Sequence, residues 1–139
     1  MRGVDRAKFD RPSGCAANDI FNRGKGNILR IIKANDGNVY EAPNHFNMWG
    51  IRKFGTPEGA KAVSVSVSEF LPNGGATLSA SDKERIYVVL RGSITVKSER
   101  GEAFTLAEED MIYIAPGEKR EMSVNGIYAA RVLVIIASC

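Results

Sequence analysis

The side chains with the most chemistry to offer fall in one stretch, from Gly74 to Gly92. It carries Ser79 and Ser81, a charged corner Asp82-Lys83-Glu84-Arg85, then Tyr87 within an apolar run. Arg120 follows a Pro116-Gly117 turn further on, and His45, the single histidine, lies in Pro43-Asn44-His45-Phe46. A guanidinium has five N–H donors, no lone pair and a permanent charge, so arginines bind anions and do not coordinate metal ions. Serine hydroxyls and a tyrosine phenol add neutral hydrogen-bonding groups. One imidazole without partners makes no metal site, but it serves as a general acid or base near neutral pH. A lone loop histidine also has a plainer reading, as a surface or packing residue. No Gly-x-Ser-x-Gly elbow, no cysteine with a histidine nearby in sequence and no glycine-rich phosphate loop opening a helix is present.

These residues need strands to position them. Residues 85–90 are too few for an ordinary helix and too rich in Val, Ile and Tyr for a loop, so they predict a buried strand. Side chains alternate along a strand, which puts Arg85, Tyr87 and Val89 on one face. Upstream, 27–34 and 39–42 flank the turn Asn35-Asp36-Gly37-Asn38 and read as a hairpin, and 46–54 as an outer strand with Phe46 and Trp49 at core or rim. Residues 62–70 alternate most cleanly, with Val63, Val65 and Val67 on one face and Ser64, Ser66 and Ser68 on the other, read as the solvated one. Gly74-Gly75 reads as a turn. Strands are further predicted over 93–98, 103–106, 111–114, 119–124 and 129–137, with Asn125-Gly126 turning between the last two. No segment keeps a helical period over three turns, and short strands with Gly and Pro turns indicate an all-β sandwich or barrel. Residues 1–25, rich in Gly, Pro, Asn and alternating charge, are expected to form a partly flexible arm ahead of one β-domain over 26–139.

The spacing of the central stretch resembles the first motif of the cupin superfamily, in which a glycine is followed by two histidines, a glutamate and a closing glycine. Counting back from Gly92 puts Arg85 on the glutamate and Ser81 and Ser79 on the histidines. The run Glu109-Asp110-Met111-Ile112-Tyr113-Ile114-Ala115-Pro116-Gly117-Glu118-Lys119-Arg120 is similar to the second motif, with Arg120 on its histidine. The resemblance implies a cupin-type double-stranded β-helix, a jelly-roll barrel, commonly a homodimer through N-terminal strands. It also implies that Ser79, Ser81, Arg85 and Arg120 converge at the barrel mouth, where other members hold a metal. All four ligand positions depart from the family pattern, and serines with arginines make a poor divalent site. No metal and no cofactor is therefore expected.

Two guanidiniums in a partly dry cavity are costly unless an anion compensates them. The reading that follows is a cavity for a small anionic metabolite, a carboxylic acid or acidic sugar derivative. Arg85 and Arg120 would be its clamps, Ser79 and Ser81 its hydroxyl donors and Tyr87 a phenolic partner. An enzyme built this way would be an isomerase or lyase using His45, Tyr87 and Glu84 for proton transfer. The alternatives are a non-catalytic binding or sensing module and, against the missing ligands, a metal-dependent oxygenase. Two structural alternatives stay open: the arginines pair internally with Glu69, Asp82, Glu84 or Glu121, or a one-residue slip turns Glu84 inward and Arg85 outward.

Composition bounds the rest. At 139 residues the chain suffices for one domain without staples. Its 44% hydrophobic and 25% charged content is ordinary for a globular protein, and no apolar run approaches a membrane span. The net charge of +3 raises nucleic acid as a partner, but acidic and basic residues interleave from Glu99 to Glu121 and no nucleic-acid motif is present, so none is expected. The charged segment from Met1 to Cys15 lacks a signal-peptide core, which makes a cytoplasmic location the expectation. Cys15 and Cys139 have no partners at metal spacing and read as free thiols.

Overall fold

The computed structural model describes residues 28–137. The expected arm, Cys15 and Cys139 lie outside the described residues. Nine strands form: β1 (Asn38–Tyr40), β2 (His45–Phe54), β3 (Val63–Ser79), β4 (Arg85–Arg91), β5 (Ile94–Ser98), β6 (Ala103–Leu106), β7 (Met111–Ile114), β8 (Arg120–Val124) and β9 (Ala130–Ala137). Among the described residues the other regular element is a 3-10 turn at Thr56–Glu58. Among the described residues no helix is long and apolar enough to cross a membrane.

Pairing runs β6-β5-β8-β3-β9-β4-β7, with β2 alongside β3 and β1 outside β2. Every pair is antiparallel. The long β3 belongs to both leaves of the resulting barrel. Its first half, Val63 to Phe70, pairs with β9, and its second half, Gly75 to Ser79, pairs with β8. The protein is thus a single-domain, all-β, nearly closed antiparallel barrel.

The crossing point explains Gly74-Gly75. The strand does not turn there but bends from one leaf into the other, with Asn73 at φ 66° and both glycines buried. A Cβ on Gly74 would sit 2.6 Å from the Asn47 carbonyl oxygen, and one on Gly75 would collide with that of Met122. Close backbone approach, rather than a reversing turn, requires glycine at this pair.

Two further expectations are corrected. No strand covers 28–34; Ile28, Leu29 and Ile31 are exposed, and β1 pairs with β2 instead. The serine face of β3 is the inner one. Ser66 and Ser68 are buried with Phe70, while Val63 on the opposite face is exposed. Alternation alone assigns apolar residues inward, but on β3 the serine face carries Ser68 and Phe70 into the cavity and the valines lie on the outer side of the sheet. Phe46 and Trp49 are both more than a third exposed, at the rim rather than in the core.

The core lies below the cavity. Val89, Ile94 and Val132 are its most enclosed side chains, joined by Phe70, Val96, Leu106, Ile114, Met122 and Ala130. Burying each large aliphatic stabilises the fold by roughly 1.5–3 kcal/mol.

Candidate functional site

A cavity of about 490 Å³ opens between the leaves. Ser79 and Ser81, Arg85 and Tyr87, Arg120, and His45 all line it. Six of the seven residues singled out in the sequence therefore meet in one space. Backbone pairing places four of them: Arg85 stands opposite Ile114 and Ile136, Tyr87 opposite Ile112 and Val134, and Arg120 opposite Ser79 and Ser98. In this register Arg85 faces the cavity. Glu84 does not line it; its carboxylate accepts a hydrogen bond of 2.8 Å from the Tyr113 hydroxyl, which raises the Tyr113 pKa. The structure thus separates Glu84 from the cluster that contains His45 and Tyr87.

Arg120 is the most constrained member, only 5% exposed. Its Nη1 donates to the Ser79 carbonyl oxygen at 2.8 Å and to the Ser79 hydroxyl at 3.1 Å. Its Nη2 donates to the Tyr87 hydroxyl at 2.9 Å. Its Nε is buried without a hydrogen-bond partner. All its hydrogen-bond partners are neutral and its Cζ lies 6.0 Å over the Tyr87 ring, so the charge is buried without an ion-pair partner, an arrangement that is costly.

Internal pairing does not supply the missing charge. Among the described residues the salt bridges are Arg52–Glu58, Lys119–Glu99 and Arg131–Glu69, none using Arg85 or Arg120. Among the described residues Asp82 is the only carboxylate lining the cavity, against two arginines. The Ser81 backbone carbonyl accepts from the Gly117 N–H at 2.7 Å, tying the loop before β4 to the turn before β8. The Ser81 hydroxyl accepts from the Lys83 N–H at 3.2 Å and keeps its own proton to donate.

His45 reaches the mouth because the chain after Pro43 is pinned. Asn44 adopts φ 60°, and its carbonyl accepts both the Thr77 N–H at 2.8 Å and the Thr77 hydroxyl at 3.2 Å. His45 Nδ1 lies 2.6 Å from the Pro43 carbonyl oxygen. A carbonyl only accepts, so Nδ1 carries the proton and Nε2 is left with the lone pair. Burial holds the imidazole pKa below its ordinary value; the Pro43 hydrogen bond opposes this, and the charges of Arg120 and Arg85 add to the lowering.

A pH dependence follows. The unfolded chain takes up a proton at His45 before the folded one does, so this group's contribution to stability is present above about pH 6.5 and is lost as pH falls through the folded value. Melting curves between pH 7.5 and 5 should show wild type losing more stability on acidification than His45→Gln. Parallel curves would mean that the imidazole is not held neutral.

Sequence reasoning missed Ser68, Phe70, Tyr40, Asn44 and the aliphatic row Val132, Val134 and Ile136, all of which line the cavity. One signal for the first two was available: Phe70 continues the serine face of β3, so a buried Phe70 turns those serines inward. Tyr40 and Asn44 depend on a loop path that sequence does not encode locally.

The barrel topology matches solved structures of known type. The polyketide cyclase RemF from Streptomyces resistomycificus superposes with a TM-score of 0.71 at 20% identity, over 79% of this chain and 80% of that one. An RmlC-like cupin from Shewanella frigidimarina superposes with a TM-score of 0.65 at 9% identity, over 81% and 93%. The chain has the cupin fold. In sequence, it is 28% identical to the β-D-galactosidase Rv1717 of Mycobacterium tuberculosis over 110 residues, 78% of this chain and 94% of that protein. No protein-family model matches the chain.

The cupin metal does not fit the residues present. The positions matched to the family's ligands hold two hydroxyls and two cations, and a guanidinium repels the ion that a histidine or glutamate would bind. Among the described residues no three His, Cys, Asp or Glu side chains cluster as a metal set.

Proposed function

We propose that this cupin binds a small organic anion in its barrel without a metal and acts on it by proton transfer, as an isomerase or lyase. The observation that carries the reading is Arg120: buried, hydrogen-bonded only to neutral oxygens, with Nε unpartnered. A carboxylate would supply the missing counter-charge, with Arg85 on the same cavity wall and the Ser79, Ser81 and Tyr87 hydroxyls as further hydrogen-bonding groups. His45 Nε2 supports the catalytic part. It takes a proton from carbon α to the bound carboxylate, the electron pair moves onto the carboxylate oxygens, and the arginines hold that charge. Reprotonation at another position completes an isomerisation; loss of a β-substituent completes an elimination.

The name of the curated relative does not transfer to this site. Glycoside hydrolysis ordinarily uses two carboxyl groups flanking the bond, and among the described residues only Asp82 supplies one to the cavity.

Titration calorimetry in the presence of a chelator tests the reading. Small carboxylates should bind metal-stripped protein, and Arg85→Gln should weaken them by roughly tenfold or more, the range for a charge-assisted hydrogen bond. Binding that needs an added divalent ion would sink it.

The homodimer is likewise a proposal. It is supported by the outer sheet face, where Val39, Ile51, Val67, Leu133, Val88 and Met111 form one register-matched apolar row across six strands. Val39 and Met111 are exposed. Sedimentation equilibrium should return twice the chain mass, and a monomer throughout the micromolar range would refute it.

A further inference from the structure

The anion reading leaves the body of the ligand undefined, and the wall beside the two arginines bears on it, with Ser68, Tyr40 and Asn44 as polar groups elsewhere in the lining. On β9 the inward side chains are Val132, Val134 and Ile136, and Phe70 faces the same space from β3. None of these carries a hydrogen-bonding group on its side chain. The slab lies directly beside the charged wall: Ile136 is the Cα partner of Arg85, and Val134 that of Tyr87. Neighbouring strands are about 4.8 Å apart. A carboxylate held by Arg85 and Arg120 therefore has its carbon body laid on the aliphatic row within one strand spacing.

Resting on that anion reading, we infer that the cavity selects monocarboxylates with a flat apolar body, of aryl type, over polyhydroxylated acids of the same size. The physical reason is asymmetric. An aryl body removes apolar surface from water on both sides of the contact, whereas a sugar acid of equal size carries a hydroxyl on nearly every carbon and must desolvate those that face the slab, where no side chain can pair them. Each hydroxyl left unpaired costs about fivefold or more in affinity, so two or three separate the classes by roughly a hundredfold. The cavity volume of about 490 Å³ lies within the range of small-molecule sites, with room for a one- or two-ring acid. Asp82, facing the same space, disfavours a second carboxylate on the ligand.

The test is calorimetric titration of the full chain with 1-naphthoate, phenylacetate and galacturonate, and with 1-naphthylmethanol as the neutral match to naphthoate. The same titrations are run on Val134→Thr, checked for folding by its melting curve, with Ile136→Thr in reserve. The expected result is that the aryl acids bind roughly a hundredfold more tightly than galacturonate, that the alcohol is much weaker than naphthoate, and that Val134→Thr lowers aryl-acid affinity by about fivefold or more. Galacturonate binding more tightly than both aryl acids would overturn the inference and leave the arginine clamp standing. Naphthylmethanol binding as well as naphthoate would overturn the clamp itself, and so would the absence of binding by every acid.

Discussion

Arg120→Met should make the ligand-free protein more stable while abolishing its affinity for carboxylates. Methionine fills much of the arginine stem's volume and removes a buried cation whose partners, Ser79 and Tyr87, are neutral. Exchanging a buried ionic group for an apolar one of similar size is commonly neutral or stabilising by about 1–4 kcal/mol. For a domain of this length each kcal/mol corresponds to roughly 3 °C in melting temperature. The Ser79 and Tyr87 hydroxyls and the Ser79 carbonyl each lose a donor, a cost limited by the hydroxyls' freedom to turn and by water reaching the open cavity. Binding moves the other way: truncating one side of a buried, hydrogen-bonded charge pair costs about 2–5 kcal/mol, roughly thirtyfold to several-thousandfold in dissociation constant. Differential scanning calorimetry and titration on the same preparation read both quantities. A variant destabilised by several kcal/mol would show that the guanidinium is a structural plug already satisfied by its surroundings, and the anion reading would fall with it.

The opposed signs make this test informative, because a residue kept for packing loses stability when replaced. Arg120 spans the two motifs: it begins β8, yet its guanidinium meets Ser79 at the end of β3 and Tyr87 in β4. That convergence explains which parts of the site were legible in the sequence. The glycine and proline anchors are backbone requirements, and Gly92 at φ 82° and Gly117 at φ 79° keep the register in which the two motifs face one another. Once that register is set, strand geometry brings Ser79, Arg85 and Arg120 together, and the Ser81 carbonyl's bond to Gly117 holds the intervening loop beside them. The apolar half of the cavity was not legible in the same way, since an aliphatic side chain on β9 has the same local pattern whether it packs in a core or lines an open space. Ser66 and Ser68 were misassigned for a related reason: both faces of β3 bury something, and a period of two does not say which face holds the cavity.

His45→Gln should leave anion affinity within a few-fold of wild type and lower the rate of proton exchange by about 10²–10⁴, the usual worth of a positioned general base. The imidazole is positioned by two links, Nδ1–H to the Pro43 carbonyl and the Asn44 carbonyl to Thr77, and the second is backbone and survives in His45→Gln. That leaves one basic nitrogen beside a cavity whose other charged wall is cationic. The neighbouring arginines, which help depress the imidazole pKa, also stabilise the enolate that proton removal creates. A weak base is the cost of that placement, and the gain is a base that stays unprotonated at and below neutral pH. Loss of the α-protons of bound phenylacetate in D₂O, followed by proton NMR, measures the step without requiring the natural substrate. Exchange in wild type that is lost in His45→Gln and persists in Glu84→Gln would assign the proton to Nε2, since Glu84 is engaged with Tyr113 away from the cavity. Tight binding with no exchange in wild type for any acid tried would instead make this barrel a carrier or sensor, with the arginines retained for recognition alone.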